Sequence, residues 1–130
     1  MGIKEDAARL HECGFNCAQS VLCACGKYTG LDDKTALAVS GGFGGGVRCG
    51  EICGAISGAV MVIGLANPFI DGTDNDAKDK IAKLTKQCAA DFKEKYGSVR
   101  CADLKAANVS CAELIEHGAE LAEIIINGNK

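Results

Sequence analysis

The chain has 130 residues, 48% of them hydrophobic and 24% charged, with a net charge of −3. That length suits one domain, residues 1–130, with a core of its own. The charge balance, with no run of Lys or Arg, gives no support for nucleic-acid binding or for attachment to an anionic membrane.

In chain order, residues 3 to 28 carry a helical stripe of Ile3, Ala7 and Leu10, continued by Cys17, Val21 and Cys25. Gly14-Phe15-Asn16 is a candidate break and restart, with Asn16 as N-cap. Cys13 and Cys17 would share a face of any continuous helix, being four apart. Cys23 and Cys25 would not, and are read as packing residues. Gly30 stops this unit, and Asp32 or Asp33 caps a second helix that ends near Ser40. Five of the six residues from Gly41 to Gly46 are glycine. This loop has neither a preceding strand nor the Lys-Ser/Thr of a phosphate-binding loop.

The stretch from Val47 to Ala66 is expected to be the central helix. Ile52, Ala55, Ile56, Val60, Met61, Val62, Ile63 and Leu65 go almost all the way round it, which marks a buried helix. Gly46, Gly50, Gly54 and Gly58 recur every fourth residue. Each interior glycine costs a helix about 1 kcal/mol against alanine, and the return is close approach of another backbone or a sulfur. Asn67-Pro68 ends the helix. Asp76 to Tyr96 is an amphipathic helix with Ile81, Leu84, Cys88 and Phe92 inside, and Gly97 caps it. A short helical piece is expected at Ala102 to Ala107. Ser110 and Glu113 form a capping box that opens the last helix, closed by Gly128. No strand-period segment of convincing length is present. The expected fold is all-α: a compact bundle of about five helices around a buried, glycine-rich middle helix.

Nine cysteines dominate the chemistry. Their odd number, and the charged opening MGIKEDAARLHE without an apolar leader segment, argue against a disulfide-stapled secreted scaffold. The expected location is the cytoplasm, where such thiols bind metal, carry out redox chemistry or fill the core. The longest apolar run, Ile52 to Asn67, is too short and glycine-rich for a membrane span. There is no C-x-x-C pair, and His11 and His117 are single, so zinc-ribbon, thioredoxin and triad chemistry all lack their residues. Thiolates need a helix N-terminus or a nearby cation. Cys49, expected in the first turn of the central helix beside Arg48, suits this best, followed by Cys101 and Cys111. Cys53 would lie one turn deeper. In a metal-free protein, Cys49 and Cys53 are the candidate redox thiols.

Four blocks of this chain resemble the C_GCAxxG_C_C family of redox-active proteins. They are Gly14-Phe-Asn-Cys-Ala-Gln19, the glycine-rich run Gly42 to Gly58 with Cys53-Gly-Ala-Ile-Ser-Gly58, the segment Phe92 to Leu104 with Gly97, Ser98 and Cys101, and Cys111 at the start of the last helix. The resemblance implies a small helical protein with Cys17, Cys53, Cys101 and Cys111 as the signature set, and Cys49 as a frequent companion. It gives no role to Cys13, Cys23, Cys25 or Cys88. A related domain resembles part of the split-Soret cytochromes, where an iron–sulfur centre has been proposed; covalent haem is not implied, since C-x-x-C-H is missing. Four thiolates are the usual ligands of an iron–sulfur cluster and also suit one zinc ion. Three readings follow: a cluster- or metal-binding electron-transfer or sensing protein, a metal-free thiol–disulfide protein, or a structural helical module with buried cysteines and no cofactor. The first two need a redox partner protein. A second copy of the chain, meeting the glycine face, is the homodimer alternative.

Overall fold

In a computed structural model, residues 2–128 are described. Helices α1 (Ile3–Glu12), α2 (Cys17–Ala24), α3 (Gly26–Thr29), α4 (Asp33–Ser40), α5 (Gly54–Ala66), α6 (Asn75–Tyr96), α7 (Cys101–Ala106) and α8 (Cys111–Asn127) follow in order. The all-α expectation is met, with more and shorter helices than the five expected. None of them is long and apolar enough to cross a membrane.

The break at Gly14 is real: its φ is +104°, open to glycine and costly for other residues. It separates Cys13, the C-cap of α1, from Cys17, the first residue of α2, so these two do not share one helix face. Asn16 then starts α2 with a full capping box, its side chain accepting from Gln19 N and Gln19 Oε1 accepting from Asn16 N.

The central helix begins later than expected. The chain from Gly46 to Gly50 makes a π-type turn in which Val47 and Arg48 have left-handed backbones (φ 57° and 62°). Helix α5 starts only at Gly54. The physical reason is competition for backbone hydrogen bonds. Cys53 N donates to Val99 O at 2.9 Å and Cys101 N donates to Glu51 O at 2.6 Å, a strand-like bridge that holds residues 51–53 out of the helix. Only Gly54 and Gly58 of the four-residue glycine row are therefore helical. Gly46 and Gly50 serve the turn instead, both at positive φ.

Helix α5 is the core element. Ala55, Ile56, Ala59, Val62 and Ile63 are buried, and it packs against α2 and α8. The close-approach argument holds for the helical glycines. A Cβ on Gly58 would stand 2.9 Å from Ala18 O and 3.0 Å from Val21 Cβ. One on Gly118, in α8, would stand 2.9 Å from Ala55 O. The glycine face thus meets α2 of the same chain, and a second glycine lets α8 settle on the opposite flank. Cys88 and Phe92 of α6 and Cys25 are fully buried core residues, as the apolar stripe predicted for Cys88.

Candidate functional site: four thiols at four helix starts

Each signature cysteine stands at the start of a helix. Cys17, Cys101 and Cys111 are the first residues of α2, α7 and α8, and Cys53 is the N-cap of α5. Local sequence builds each of these starts. Asn16 and Gln19 fix the beginning of α2 and also tie it down: Asn16 Nδ2 donates to Gly41 O at 3.0 Å, and Gln19 Nε2 to Leu37 O at 3.0 Å. Gly54 sits against Cys17, since a Cβ there would come within 3.1 Å of Cys17 Cβ, Ala18 N and Phe43 O. The glycine after Cys53 therefore allows the starts of α2 and α5 to touch.

The strand-like bridge brings Cys53 beside Cys101, with Ile52 facing Arg100. Arg100 closes its outer side by an ion pair to Glu51 at 3.2 Å. Both partners are about half exposed (50% and 52%), so the pair adds at most about 1 kcal/mol. Gly97, at φ +88°, ends α6 in a left-handed cap. Ser98 Oγ then accepts from Arg100 N at 3.1 Å and donates to Asp103 Oδ2 at 2.9 Å, shaping the entry to α7. Ser110 accepts from Glu113 N at 3.1 Å and starts α8 as the expected N-cap, without the return bond of a full capping box.

The four thiols share one neighbourhood of the fold. Cys17 lies near enough to Cys111, Cys53 and Cys101 for their charges to act on it. Cys53 feels Cys101 and Cys111. Burial, then these neighbouring thiols, push the Cys17 thiol up to about 12. Burial likewise raises Cys53, opposed by the backbone N–H groups of Ala55 and Ile56 at the head of α5. Cys53 and Cys101 are buried, while Cys17 and Cys111 are half-buried. In this arrangement Cys17 and Cys53 are held as protonated thiols. Among the described residues, no group of three or more His, Cys, Asp or Glu side chains stands in ion-holding geometry.

The charge environment nevertheless suits an anionic centre. A helix start presents unsatisfied N–H groups and the positive end of the helix dipole. Here each of the four cysteines stands at such an end, of α2, α5, α7 and α8. The donor chemistry of four cysteines fits a thiolate-ligated iron–sulfur cluster or zinc ion.

Cys49 is placed differently from expectation. It is exposed in the π-type turn, outside α5, and donates to Gly46 O at 3.5 Å. Cys53, expected one turn inside the helix, instead occupies the capping position where the dipole acts most strongly. Cys23 is half-buried and donates to Asp33 Oδ1 at 3.5 Å. Cys25 and Cys88 are buried and raised to about 12 by burial, which makes them unreactive. Both histidines have protein partners: His11 Nδ1 with Phe15 O at 3.2 Å, and His117 Nε2 with Asp91 Oδ1 at 2.6 Å.

Residues 15–125 match the family described as "Putative redox-active protein (C_GCAxxG_C_C)". The chain belongs to this family. No curated protein and no solved structure was found to match it. The family's signature residues are those just placed: Cys17 opens α2, Cys53 to Gly58 form the close contact with that helix, and Cys101 and Cys111 open α7 and α8.

Sequence reasoning missed the bridge between residues 51–53 and 99–101. Its two short segments carry no alternation to announce a strand. The roles of Asn16 and Gln19 beyond capping were also missed, because their second partners are 25 and 18 residues away. Asn16→Ala removes both a cap and a tether. It is expected to lower stability by about 1–2 kcal/mol, read by thermal or urea unfolding.

Proposed function

We propose that this member of the redox-active family carries a thiolate-ligated centre, an iron–sulfur cluster held by Cys17, Cys53, Cys101 and Cys111, and works in electron transfer or redox sensing. The observation that supports the reading is that all four thiols stand at helix starts and lie near enough for their charges to act on one another. Burial of so many thiols beside positive helix ends is poorly explained by packing alone. An anionic cluster uses both features: the dipoles offset its charge, and burial protects it from water. When bound, the group supplies one-electron chemistry at a potential set by its charge, hydrogen bonds and exposure.

The chain's own residues do the rest. Cys17, Cys53, Cys101 and Cys111 would hold the group as thiolates. The N–H groups of Ala55 and Ile56, already directed at Cys53, stabilise its thiolate. Arg100 and Glu51 hold the bridge that keeps Cys53 and Cys101 adjacent. Cys49 lies outside the ligand set, on the exposed turn. A partner redox protein is required, and a reducing compartment suits nine free thiols.

The test is anaerobic purification of the full chain with analysis of iron, zinc and acid-labile sulfide. The reading predicts a brown protein with stoichiometric iron and sulfide; zinc alone would replace redox chemistry with a structural role. Loading is also pH-dependent. The Cys17 and Cys53 thiols are raised, so their protons must be displaced at neutral pH. Apparent metal affinity therefore falls as pH is lowered, by about tenfold per unit for each proton displaced. Zinc titration between pH 6 and 8, each followed by competition with a chromophoric chelator, measures this; a flat profile contradicts thiolate ligation.

A second reading, a metal-free dithiol protein, is favoured by the nearness of Cys17 to Cys111, whose charge acts on it. Metal analysis would then be blank, and thiol counting would show a reversible change of two.

A further inference from the structure

We infer that the exposed turn at residues 43–52 is the face on which this protein meets its redox partner, and that the partner is a small one-electron carrier with an acidic rim around an apolar centre. As a face for an electron carrier it rests on the proposal that the four thiols hold a redox centre. As a docking face it rests on the turn's own residues.

Three observations carry it. Gly45, Gly46, Val47 and Arg48 are four successive residues with left-handed backbones, at φ 64°, 63°, 57° and 62°. Glycine is at ease there, but for valine, branched at Cβ, the conformation is a costly outlier. Nothing inside the chain rewards it: Val47 is 52% exposed, and Arg48 makes no ion pair among the described residues. Strain kept where the fold gains nothing points to a contact outside the chain. Next, the turn carries its apolar side chains outward as a group. Phe43 and Ile52 are 36% and 42% exposed beside Val47, and the segment is knotted together by Val47 N donating to Phe43 O at 3.4 Å and Glu51 N to Gly46 O at 3.0 Å. Finally, the turn lies against the thiol site. Phe43 O and Cys17 Cβ would both stand 3.1 Å from a Cβ on Gly54, and Ile52 directly precedes Cys53.

The charges select the partner. Helix α2 has no charged residue, and residues 41–53 carry Arg48 and Glu51 alone. Helix α7, whose Ala102 meets Gly50 of the turn, adds Asp103 and Lys105, with Arg100 as its N-cap. Arg100 holds both acids, Glu51 at 3.2 Å and Asp103 at 3.7 Å. Lys105, like Arg48, makes no ion pair among the described residues. These five residues sum to +1 in a chain whose total is −3. An acidic rim against Arg48 and Lys105, around an apolar centre over Val47, complements this face, and a second copy of an acidic chain is the poorer fit. One turn and one short helix make a small face, which suits the brief contact of electron carriers.

The experiment titrates the reduced, nitrogen-15-labelled full chain with flavodoxin, an acidic one-electron carrier, and with lysozyme, a basic protein of similar size, as the control. Flavodoxin should shift the amide signals of residues 43–52 and of α7 more than any others, and lysozyme should not. Raising the salt from about 50 to about 200 mM should weaken the flavodoxin effect severalfold. Arg48→Ser should lower the affinity by about threefold, as suits one exposed ion pair. Val47→Gly gives opposite signs in two readouts. Its urea midpoint should rise, because the left-handed backbone is relieved, while its affinity for flavodoxin should fall with the lost apolar contact.

Absence of shifts, shifts centred elsewhere, or equal shifts with lysozyme overturns the proposal. So does a turn whose signals move with protein concentration alone, since a second copy then occupies the face. A Val47→Gly variant that is less stable, or that binds flavodoxin as well as the parent, also overturns it. If the shifts fall on the turn as expected but anaerobic preparations hold no iron, the docking face stands and the electron-transfer reading fails. If iron is bound and the turn does not respond, only the present inference fails.

Discussion

Cys53→Ser is expected to abolish iron and sulfide retention while leaving the helical content intact. Cys53 is the N-cap of α5, where the N–H groups of Ala55 and Ile56 favour its thiolate, and stands beside Cys101 through the 51–53/99–101 bridge. A serine oxygen fits the cap and is a poor partner for a sulfur-ligated cluster. The affinity loss should exceed the roughly 10–100-fold typical of outer-shell changes, since a direct ligand is removed. Cys88→Ser and Cys49→Ser are the controls. The first changes a core thiol in α6, and the second an exposed thiol in the π-type turn. Both should keep the metal, although Cys88→Ser loses stability by burying a hydroxyl in an apolar core. Iron and sulfide analysis alongside circular dichroism reads all three. Loss of the metal in Cys49→Ser, or its retention in Cys53→Ser, would move the centre elsewhere.

Gly58→Leu is expected to prevent folding, and Gly58→Ala to cost about 1–3 kcal/mol. A Cβ at this position meets the backbone oxygen of Ala18 at 2.9 Å, so the obstruction is a helix and not a flexible side chain. Relief would require α2 to move away from α5, carrying Cys17 with it. The destabilised alanine variant should therefore also retain metal less well. Gly64→Ala is the contrasting change. Nothing lies within 4 Å of its Cβ position, and its helical site favours alanine by up to about 1 kcal/mol. Urea unfolding of the three variants should rank them with Gly64→Ala above the parent and Gly58→Ala below. Equal midpoints for Gly58→Ala and the parent would mean that the α2–α5 contact is looser than the structure has it.

Much of this was legible in the residues, and the failures have specific causes. The cap at Asn16, the stop at Gly97 and the Ser110 cap are local events, set within four residues, and each occurs as expected, although the return half of the box, from Glu113 to Ser110 N, is not made. Cys111 at the head of the last helix followed directly. The start of the central helix did not. Glycine every fourth residue from Gly46 is compatible with a helix, but the pattern cannot register that Glu51 and Cys53 give their backbone hydrogen bonds to a segment nearly 50 residues away. That non-local contact overrides the local signal, and it moves Cys49 out to the surface and Cys53 to the helix cap. The nearness of Cys17 to Cys111 is likewise non-local. The blocks that resemble the family named the four cysteines, but their common position at helix starts became visible only with the fold.

The alkaline limb of stability reports the buried thiols of the unloaded protein. Cys88 has its thiol raised from 9.0 to about 12 in the folded chain, chiefly by burial. Stability from a raised thiol is complete below its ordinary value and is lost as pH rises toward the folded value. Unfolding free energy of the unloaded protein should therefore fall as pH rises above about 9, and the decline should lessen in Cys88→Ser.

The most direct measurement is X-ray absorption at the metal edge of the iron-loaded or zinc-loaded protein. The account predicts a first shell of sulfur at about 2.3 Å, four sulfurs to a single zinc, that is lost or depleted by serine at position 17, 53, 101 or 111. A shell of nitrogen and oxygen, or a sulfur shell that all four serine variants leave intact, would contradict it.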